Sequence, residues 1–509
     1  LLTISQFRGC KMKRLLLVVL SLMMVIILVA APVKLTILHM NDTHGHMWTY
    51  GDKNGTGGFE RIQAIITMVK SKAAEENGHV LVLHAGDVNT GIPESDQLNA
   101  IPDFLGLSVM GVDAMCPGNH EFDKEADVLA LQQMVASFPI ISSNYVDEKG
   151  NTIFKPYIIK DFGDLKVGII GATTEQTLIL EPIHLGTNTF KNVSESVAKY
   201  LPEVRKQADV VVVLGHLGYN EKPVFPIKYT TSDMLAQEVS GIDAIIDGHS
   251  HTVIDKKTVI NGTLIGQAGE WGKYIGKMDL WVENGKVVNS EYSLIPIDAQ
   301  IPSDPLIARL AKSYQEKGAE KLNVVIGKTD IVLDGERSSV RAKDTNLAHL
   351  ITDSFIWKTG ADFALTNGGG IRASIPVGSI TYKSVLTVLP FGNTVSIVEI
   401  TGKDVIDLVT YAASIPDGQG ARPQTALLTF DIVNGKPENI LINKKPVDIG
   451  KTYKVATNDY VAAGGDGYTI FKGKPSYNTG FVMADVVKDY ITLLGTIKYY
   501  DDVPRIVKK

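Results

Sequence analysis

The sequence is poor in cysteine. Its 509 residues contain two, Cys10 and Cys116, and Cys10 precedes an apolar segment that predicts a leader. The single thiol left after removal of that leader excludes a disulfide framework within one mature chain. The sequence also lacks internal repeats of about 20–50 residues, which excludes solenoids and propellers. The fold must therefore be stabilised by its hydrophobic cores.

An excess of positive charge is also missing. The chain carries 50 basic and 56 acidic side chains, a formal net charge of −6. A protein that coats nucleic acid needs a basic surface to release counterions, so no nucleic-acid partner is expected. An anionic substrate would have to be bound by a few arginines or by cations. The apolar fraction of 44% excludes a disordered chain, and the length predicts two or three domains.

The N-terminal residues 1–31 predict a signal peptide. Lys13 and Arg14 precede the apolar run 15–31, which ends in two alanines. A basic segment, an apolar segment and small residues in this order are typical of export signals. The sequence therefore predicts a periplasmic, cell-surface or extracellular protein with no other membrane partner. The alternative is an uncleaved membrane anchor.

Alternating apolar runs and amphipathic segments predict an α/β fold with two units. The first is an N-terminal layered domain over residues 33–302, and the second an α/β domain over 323–507. A charged helical linker, 303–322, joins them. Predicted strands cover 33–40, 80–84, 166–171, 210–214, 244–246, 362–366, 426–432 and 453–457; predicted helices cover 58–77, 126–137, 306–322, 345–358 and 402–413.

Polar motifs follow the strands of the first domain. They are Asn41-Asp42-Thr43-His44-Gly45-His46, Gly86-Asp87-Val88-Asn89, Gly118-Asn119-His120-Glu121-Phe122-Asp123, Gly215-His216 and Gly248-His249-Ser250-His251. Loops at the carboxyl ends of strands converge on one crevice, and imidazole with carboxylate suits divalent ions such as Zn or Mn. Each motif alone is also explained by a turn, a cap or a structural histidine, but their joint occurrence favours a metal site. His39, His79 and His184 lack this context and are interpreted as structural.

The second domain contains candidate anion-binding groups. Arg337 and Arg341 lie four residues apart, and Arg372 ends the sequence Asn367-Gly368-Gly369-Gly370-Ile371-Arg372. Guanidinium groups bind phosphate bidentately, and glycines let backbone amides approach an anion. The alternatives are a solvated surface for the first two arginines and a tight turn for the glycines.

In this order, the strand-end motifs resemble those of calcineurin-like metallophosphoesterases. The chain from residue 34 to residue 507 resembles the exported bacterial 5′-nucleotidase / UDP-sugar hydrolase family. The resemblance implies two divalent metal ions (Zn, Mn or similar), bridged by Asp87. The implied ligands are Asp42, His44, Asp87 and His251 for one ion, and Asp87, Asn119, His216 and His249 for the other. His251 stands where some relatives carry glutamine.

The same resemblance implies roles for the remaining candidates. His120 would stabilise the transition state or protonate the leaving oxygen, and Asp123 would orient its imidazole. Phe391 and Tyr460 would sandwich the nucleobase. The implied substrate-binding residues are Arg337, Arg341, Arg372, Phe391, Asn393, Gly420, Tyr460 and Asp466, with Asn393 and Asp466 bonded to base or ribose. Because metals and base would lie in different domains, the linker is expected to permit rotation between open and closed forms.

The resulting expectation is an exported phosphohydrolase, monomeric in solution, that releases phosphate from nucleoside 5′-monophosphates. Nucleoside di- and triphosphates and UDP-sugars are further candidate substrates. One alternative is a 2′,3′-cyclic-nucleotide phosphodiesterase/3′-nucleotidase of the same superfamily. Another is a non-catalytic nucleotide-binding surface protein.

Overall fold

The computed structural model describes residues 31–49, 55–181, 184–220, 228–319, 322–500 and 503–509. The predicted signal peptide, residues 1–31, lies outside these ranges except for its last residue. Among the residues described, none of the helices combines the length and the apolar character needed to cross a bilayer.

The N-terminal part consists of two facing sheets with helices outside. Its strands are β1 (Val33–Met40), β2 (His79–His84), β3 (Ala114–Met115), β4 (Tyr145–Val146), β5 (Tyr157–Asp161), β6 (Lys166–Thr173), β7 (Thr189–Phe190), β8 (Val210–His216), β9 (Ala244–Ile246), β10 (Thr258–Ile260), β11 (Thr263–Gly266), β12 (Tyr274–Glu283) and β13 (Lys286–Pro296). Its α-helices are Phe59–Glu75, Pro93–Asp96, Ile101–Met110, Ala126–Val135, Thr177–Leu180, Val193–Arg205 and Ser232–Glu238. One sheet has the order β13-β12-β1-β2-β3 and the other β10-β11-β9-β8-β6-β5, and the central strands of both are parallel.

Side-chain alternation explains this layering. In β8, Val210, Val212 and Leu214 pack between the two sheets, whereas Val211 and Val213 pack against the outer helices. Every residue of this strand is buried. A strand covered on both faces requires a continuous apolar sequence, which is what residues 210–214 provide.

The C-terminal part is a second α/β unit. Its strands are β14 (Val325–Thr329), β15 (Phe363–Asn367), β16 (Gly378–Thr381), β17 (Thr394–Thr401), β18 (Pro423–Ala426), β19 (Leu428–Val433), β20 (Lys436–Ile442), β21 (Lys445–Pro446), β22 (Thr452–Asn458), β23 (Ser476–Val482), β24 (Thr496–Ile497) and β25 (Ile506–Lys508). Its α-helices are Arg337–Val340, Asn346–Thr359, Tyr382–Val388, Gly402–Ser414, Asp459–Ala462 and Met483–Leu494. The main sheet, β18-β15-β22-β17-β23, has a separate hydrophobic core on each face.

A helix, Pro305–Ala319, lies between the two units, within the predicted linker. Ile307 and Ala311 on this helix are buried in the core of the N-terminal unit. The helix is therefore packed against that unit.

One predicted strand has the wrong extent. Residues 426–432 do not form a continuous strand, because Leu427 has a φ of 59° and separates β18 from β19. The two strands then enter different sheets. Apolar periodicity across residues 426–432 does not reveal this break, since leucine rarely adopts a left-handed conformation.

Candidate active site

The seven candidate metal ligands lie at the carboxyl edges of the two N-terminal sheets. Asp42 and His44 follow β1, Asp87 follows β2 and Asn119 follows β3, all in one sheet. In the other sheet His216 ends β8, and His249 and His251 follow β9. The two facing sheets therefore deliver these side chains to one place.

The backbone at this place is strained. Five of the ligand candidates have φ values between 46° and 82°: Asp42, His44, Asp87, His249 and His251. Left-handed backbone is uncommon for residues other than glycine, and such residues cluster at functional sites where surrounding structure holds them. Left-handed backbone is therefore concentrated in the loops that carry the candidate ligands.

The first group of candidate ligands surrounds Asp42. The Nε2 atom of His251 lies 3.3 Å from Asp42 Oδ1, and that of His44 lies 3.9 Å from the same oxygen. The two Nε2 atoms are 3.3 Å apart. His44 Nε2 is also 3.9 Å from Asp87 Oδ2, so Asp87 borders this group.

The second group surrounds Asp87 and Asn119. His216 Nε2 lies 3.1 Å from Asp87 Oδ2 and 3.3 Å from Asn119 Oδ1. His249 Nδ1 lies 2.9 Å from Asn119 Oδ1. Asp87 therefore contacts histidines of both groups.

Each of these four histidines has one ring nitrogen, here called the inner nitrogen, near the other candidate ligands. The opposite ring nitrogen, the outer nitrogen, lies within hydrogen-bond distance of an oxygen acceptor. His44 Nδ1 is 2.8 Å from the Thr90 carbonyl, and His216 Nδ1 is 2.7 Å from the Ala85 carbonyl. His249 Nε2 and His251 Nδ1 each lie 2.5 Å from a side-chain oxygen, of Gln176 and Glu270 respectively. Such bonds place the proton on the outer nitrogen and leave the inner lone pair for a cation. With two carboxylates and one amide oxygen, this donor set fits divalent cations.

Burial and the neighbouring carboxylates shift the histidine pKa values of the site in opposite directions. Burial alone would lower the pKa of His216, but the adjacent Asp87 carboxylate outweighs burial and raises that pKa to about 10. For His249, burial prevails and lowers the pKa to about 3. The Asp87 carboxylate therefore stabilises positive charge beside it, as a proton on His216 or as a cation in place of that proton.

A histidine–aspartate pair adjoins the two groups. His120 Nδ1 lies 2.8 Å from Asp123 Oδ2, and that oxygen also accepts a hydrogen bond from the Thr90 hydroxyl. Burial opposes protonation of His120, but Asp123 and then Asp87 raise its pKa to about 9. The aspartate therefore orients the imidazole and favours its charged form.

A cavity of about 550 Å³ connects both units of the chain. Its walls include His120 and Asp123 and five of the ligand candidates, namely His44, Asp87, Asn119, His249 and His251. They also include all eight substrate-binding candidates: Arg337, Arg341, Arg372, Phe391, Asn393, Gly420, Tyr460 and Asp466. Asp42 and His216 are fully buried behind this wall.

Aromatic contacts join the units across the cavity. The Phe391 ring stacks on the His120 imidazole, with centroids 5.8 Å apart and planes 21° apart. The Arg372 guanidinium lies 5.5 Å from the centroid of the same ring. The structure thus brings the arginine and aromatic candidates of one unit to the ligand groups of the other.

Two candidates for base or ribose binding already have partners in the protein. The Asn393 amide donates a hydrogen bond to Asp459 at 2.9 Å. The Asp466 carboxylate accepts from Asn367 at 2.7 Å and from the Tyr460 hydroxyl at 2.9 Å. These bonds hold the polar groups at the cavity wall.

Comparison with known proteins agrees with this geometry. Residues 35–253 match the family model for calcineurin-like phosphoesterases, and residues 325–473 match that for the 5′-nucleotidase C-terminal domain. The chain is 38% identical over 499 residues to a 5′-nucleotidase of Vibrio vulnificus, with 90% of each chain covered. It is 37% identical over 500 residues to protein UshA of Escherichia coli, again with 90% of each covered. The crystal structure of a 5′-nucleotidase precursor from Thermus thermophilus is similar at a TM-score of 0.78 and 30% identity, covering 93% of this chain and 99% of that one.

The chain belongs to the 5′-nucleotidase family. It is a metal-dependent phosphoester hydrolase. The family implies divalent metal ions, and the described residues contain groups of His, Asp and Glu side chains whose candidate ligand atoms lie within 4.8 Å of one another. The resemblance inferred from the motifs is therefore confirmed at the level of family and enzyme class.

Glu121 is a further polar residue of this site, and the sequence analysis assigned no role to it. Its carboxylate accepts hydrogen bonds from four backbone N–H groups, those of Asp87, Val88, Asn89 and Gly118, at 2.6–3.2 Å. Glu121 thus joins the loops after β2 and β3. Its position directly after His120, in the motif of residues 118–123, could have indicated that Glu121 belongs to the site.

Other polar residues of the enzyme's site were also missed. Gln176, Glu181 and His184 line the cavity, and Glu270 contacts His251. The structure therefore places His184 at the cavity, although the sequence analysis interpreted it as structural. His39 is fully buried and His79 pairs with Asp164, which agrees with structural roles for both.

Proposed function

We propose that this enzyme releases phosphate from nucleoside 5′-monophosphates. The observation that carries the proposal is the shared cavity, in which ligand groups for cations face three arginines and two aromatic rings. Its volume of about 550 Å³ lies within the range that small-molecule ligands occupy. An acidic protein needs local positive charge to bind a phosphate ester, and the arginines together with cations would provide it.

We infer two cation positions from the ligand groups. Asp42, His44, Asp87 and His251 would hold one cation; Asp87, Asn119, His216 and His249 would hold the other. When bound, such a pair of divalent cations supplies Lewis acidity that activates water and offsets the charge of phosphoryl oxygens. Nitrogen and oxygen donors without thiolate favour Zn or Mn.

The chain's own residues would orient the substrate. Arg337, Arg341 and Arg372 donate hydrogen bonds to phosphate oxygens, and Phe391 and Tyr460 stack on the base. Stacking is tolerant of base identity because every base has a π-face. His120, held at Nδ1 by Asp123, presents Nε2 to the phosphoryl group or to the leaving oxygen. Asn393, Gly420 and Asp466 complete the nucleoside side of the cavity.

We further propose that the protein is exported through the segment 1–31 and acts outside the cytoplasm. Mass spectrometry of the protein from fractionated cells tests this proposal. A mature N-terminus near residue 32 supports a cleaved signal, whereas an intact segment in the membrane fraction supports an anchor. Size-exclusion chromatography with light scattering tests the expected monomer.

Substrate comparison tests the proposed activity. Purified protein with added Zn²⁺ or Mn²⁺ is expected to release phosphate from AMP, and a chelator is expected to abolish that release. UDP-glucose, ATP, 3′-AMP and 2′,3′-cyclic AMP are assayed in parallel. Faster hydrolysis of 2′,3′-cyclic AMP or 3′-AMP than of AMP would favour the alternative phosphodiesterase/3′-nucleotidase. Nucleotide binding without phosphate release would favour a non-catalytic binder.

A further inference from the structure

Glu270 lies behind His251 on the side away from the other ligand candidates. Its Oε2 atom is 2.5 Å from His251 Nδ1, and its Oε1 atom is 2.6 Å from Lys273 Nζ. The opposite ring nitrogen of His251, Nε2, is 3.3 Å from Asp42 Oδ1. The imidazole therefore spans from one carboxylate to another.

The segment that carries Glu270 is bonded to the loop that carries Asp42. The Trp271 backbone N–H donates to the Asp42 carbonyl at 2.7 Å. The side chain of Asn41 donates to the Gly269 carbonyl at 2.6 Å and accepts from the Ala268 N–H at 2.9 Å. These bonds join the segment that carries Glu270 to the loop that carries Asp42.

We propose that Glu270 is a positioning residue for the group formed by Asp42, His44, Asp87 and His251. By accepting the Nδ1–H of His251, it fixes the tautomer and ring orientation in which the Nε2 lone pair faces Asp42. Lys273 holds the second oxygen of Glu270 and thereby orients the carboxylate. The inference rests on the proposed cation binding by this group.

Glu270 differs from the acceptors behind the other histidines. Backbone carbonyls hold His44 and His216, and a neutral amide oxygen holds His249. Only His251, among the four histidines of the two groups, has a carboxylate acceptor on its outer nitrogen in the part of the chain described. An imidazole whose N–H is bonded to a carboxylate is more basic, and so binds a cation more strongly, than one whose N–H is bonded to a neutral oxygen.

A double-mutant cycle with Zn²⁺ as the probe tests the proposal. Glu270→Ala and the isosteric Glu270→Gln are made in the native chain and in a His251→Gln variant, and Zn²⁺ dissociation constants are measured by competition with a chelating indicator. In the native background, Glu270→Ala is expected to raise the dissociation constant of one of the two Zn²⁺ equivalents about 10- to 100-fold. Glu270→Gln retains a side-chain oxygen that can accept the Nδ1–H of His251, so it should raise this dissociation constant less. In the His251→Gln background the loss from Glu270→Ala should shrink to less than about twofold, because no imidazole remains to be oriented.

Three results would overturn the proposal. They are an unchanged dissociation constant in Glu270→Ala, an equal loss in both backgrounds, and an equal loss from both equivalents. Far-ultraviolet circular dichroism of each variant confirms that the compared chains are folded. If the native chain itself binds no Zn²⁺, the proposed function fails. If it binds Zn²⁺ and the Glu270 variants bind equally well, only the present inference fails.

Discussion

Replacing Glu121 by glutamine tests whether the loops after β2 and β3 are held together by one carboxylate. Its two oxygens accept four backbone N–H groups. The glutamine side chain has one acceptor oxygen, and its amide nitrogen would face two of these donors. Each buried N–H left without an acceptor costs about 1–3 kcal/mol, so the variant should lose about 2–6 kcal/mol. That is a large share of a typical stability of about 5–15 kcal/mol.

The same substitution should impair catalysis. Asp87, which contacts histidines of both ligand groups, donates its own N–H to Glu121 at 2.9 Å. A displacement of about 1 Å at such a position can reduce the rate about 100-fold. Urea unfolding followed by tryptophan fluorescence measures stability, and phosphate release from AMP in excess divalent cation measures activity.

The matched control is Glu195→Gln, because Glu195 is exposed on the helix Val193–Arg205. Its stability should remain within about 0.5 kcal/mol of the native value. The reasoning is refuted if Glu121→Gln also stays within that limit and keeps more than half of the native activity.

Three further predictions follow from close contacts and buried charges. Gly118→Ala should abolish AMP hydrolysis, because the added Cβ would lie 2.2 Å from Asp87 Oδ1. Asp103→Asn should stabilise the protein at pH 8 but not at pH 4. Burial raises the pKa of Asp103 from 3.8 to about 7, so the folded state loses stability as the pH rises between these values, by up to roughly 4 kcal/mol. Lys383→Met should raise KM for AMP about fivefold and lower energy transfer between dyes on the two units. It removes the 2.5 Å ion pair between the partly exposed Lys383 and the buried Glu94 that joins them, which is worth about 1 kcal/mol.

Each of these predictions has a contradicting result, and the glycine and lysine substitutions also have control variants. Gly450→Ala places its Cβ 3.5 Å from its nearest neighbour and should retain activity, so equal losses in both variants would exclude the steric argument. A stability gain for Asp103→Asn that is as large at pH 4 as at pH 8 would contradict the sign of the pKa shift. Lys403→Met removes an exposed lysine from the same unit and should leave KM unchanged. An unchanged KM in Lys383→Met would show that the ion pair does not favour the joined arrangement.

Much of the fold was predictable because strand and helix periodicities are local properties. Residues 33–40 and 244–246 form strands with the predicted bounds, and the predicted helix 58–77 is found at Phe59–Glu75. The break at Leu427 was not predictable, since it depends on β18 and β19 pairing with different sheets. Local apolar patterns contain no information about such long-range pairing.

The sequence by itself determined which residues are ligand candidates, because they follow apolar strands whose parallel pairing aligns their ends within each sheet. The facing of the two sheets, which brings both sets of candidates together, belongs to the tertiary structure. Only the tertiary structure decided which nitrogen of each histidine faces inward. That choice depends on acceptors such as Gln176 and Glu270, which lie 73 and 19 residues away from their histidines along the chain. The tertiary structure also decided that His184 lines the cavity and that Phe391 stacks on His120. These contacts arise from packing between distant segments, which no local pattern of residues encodes.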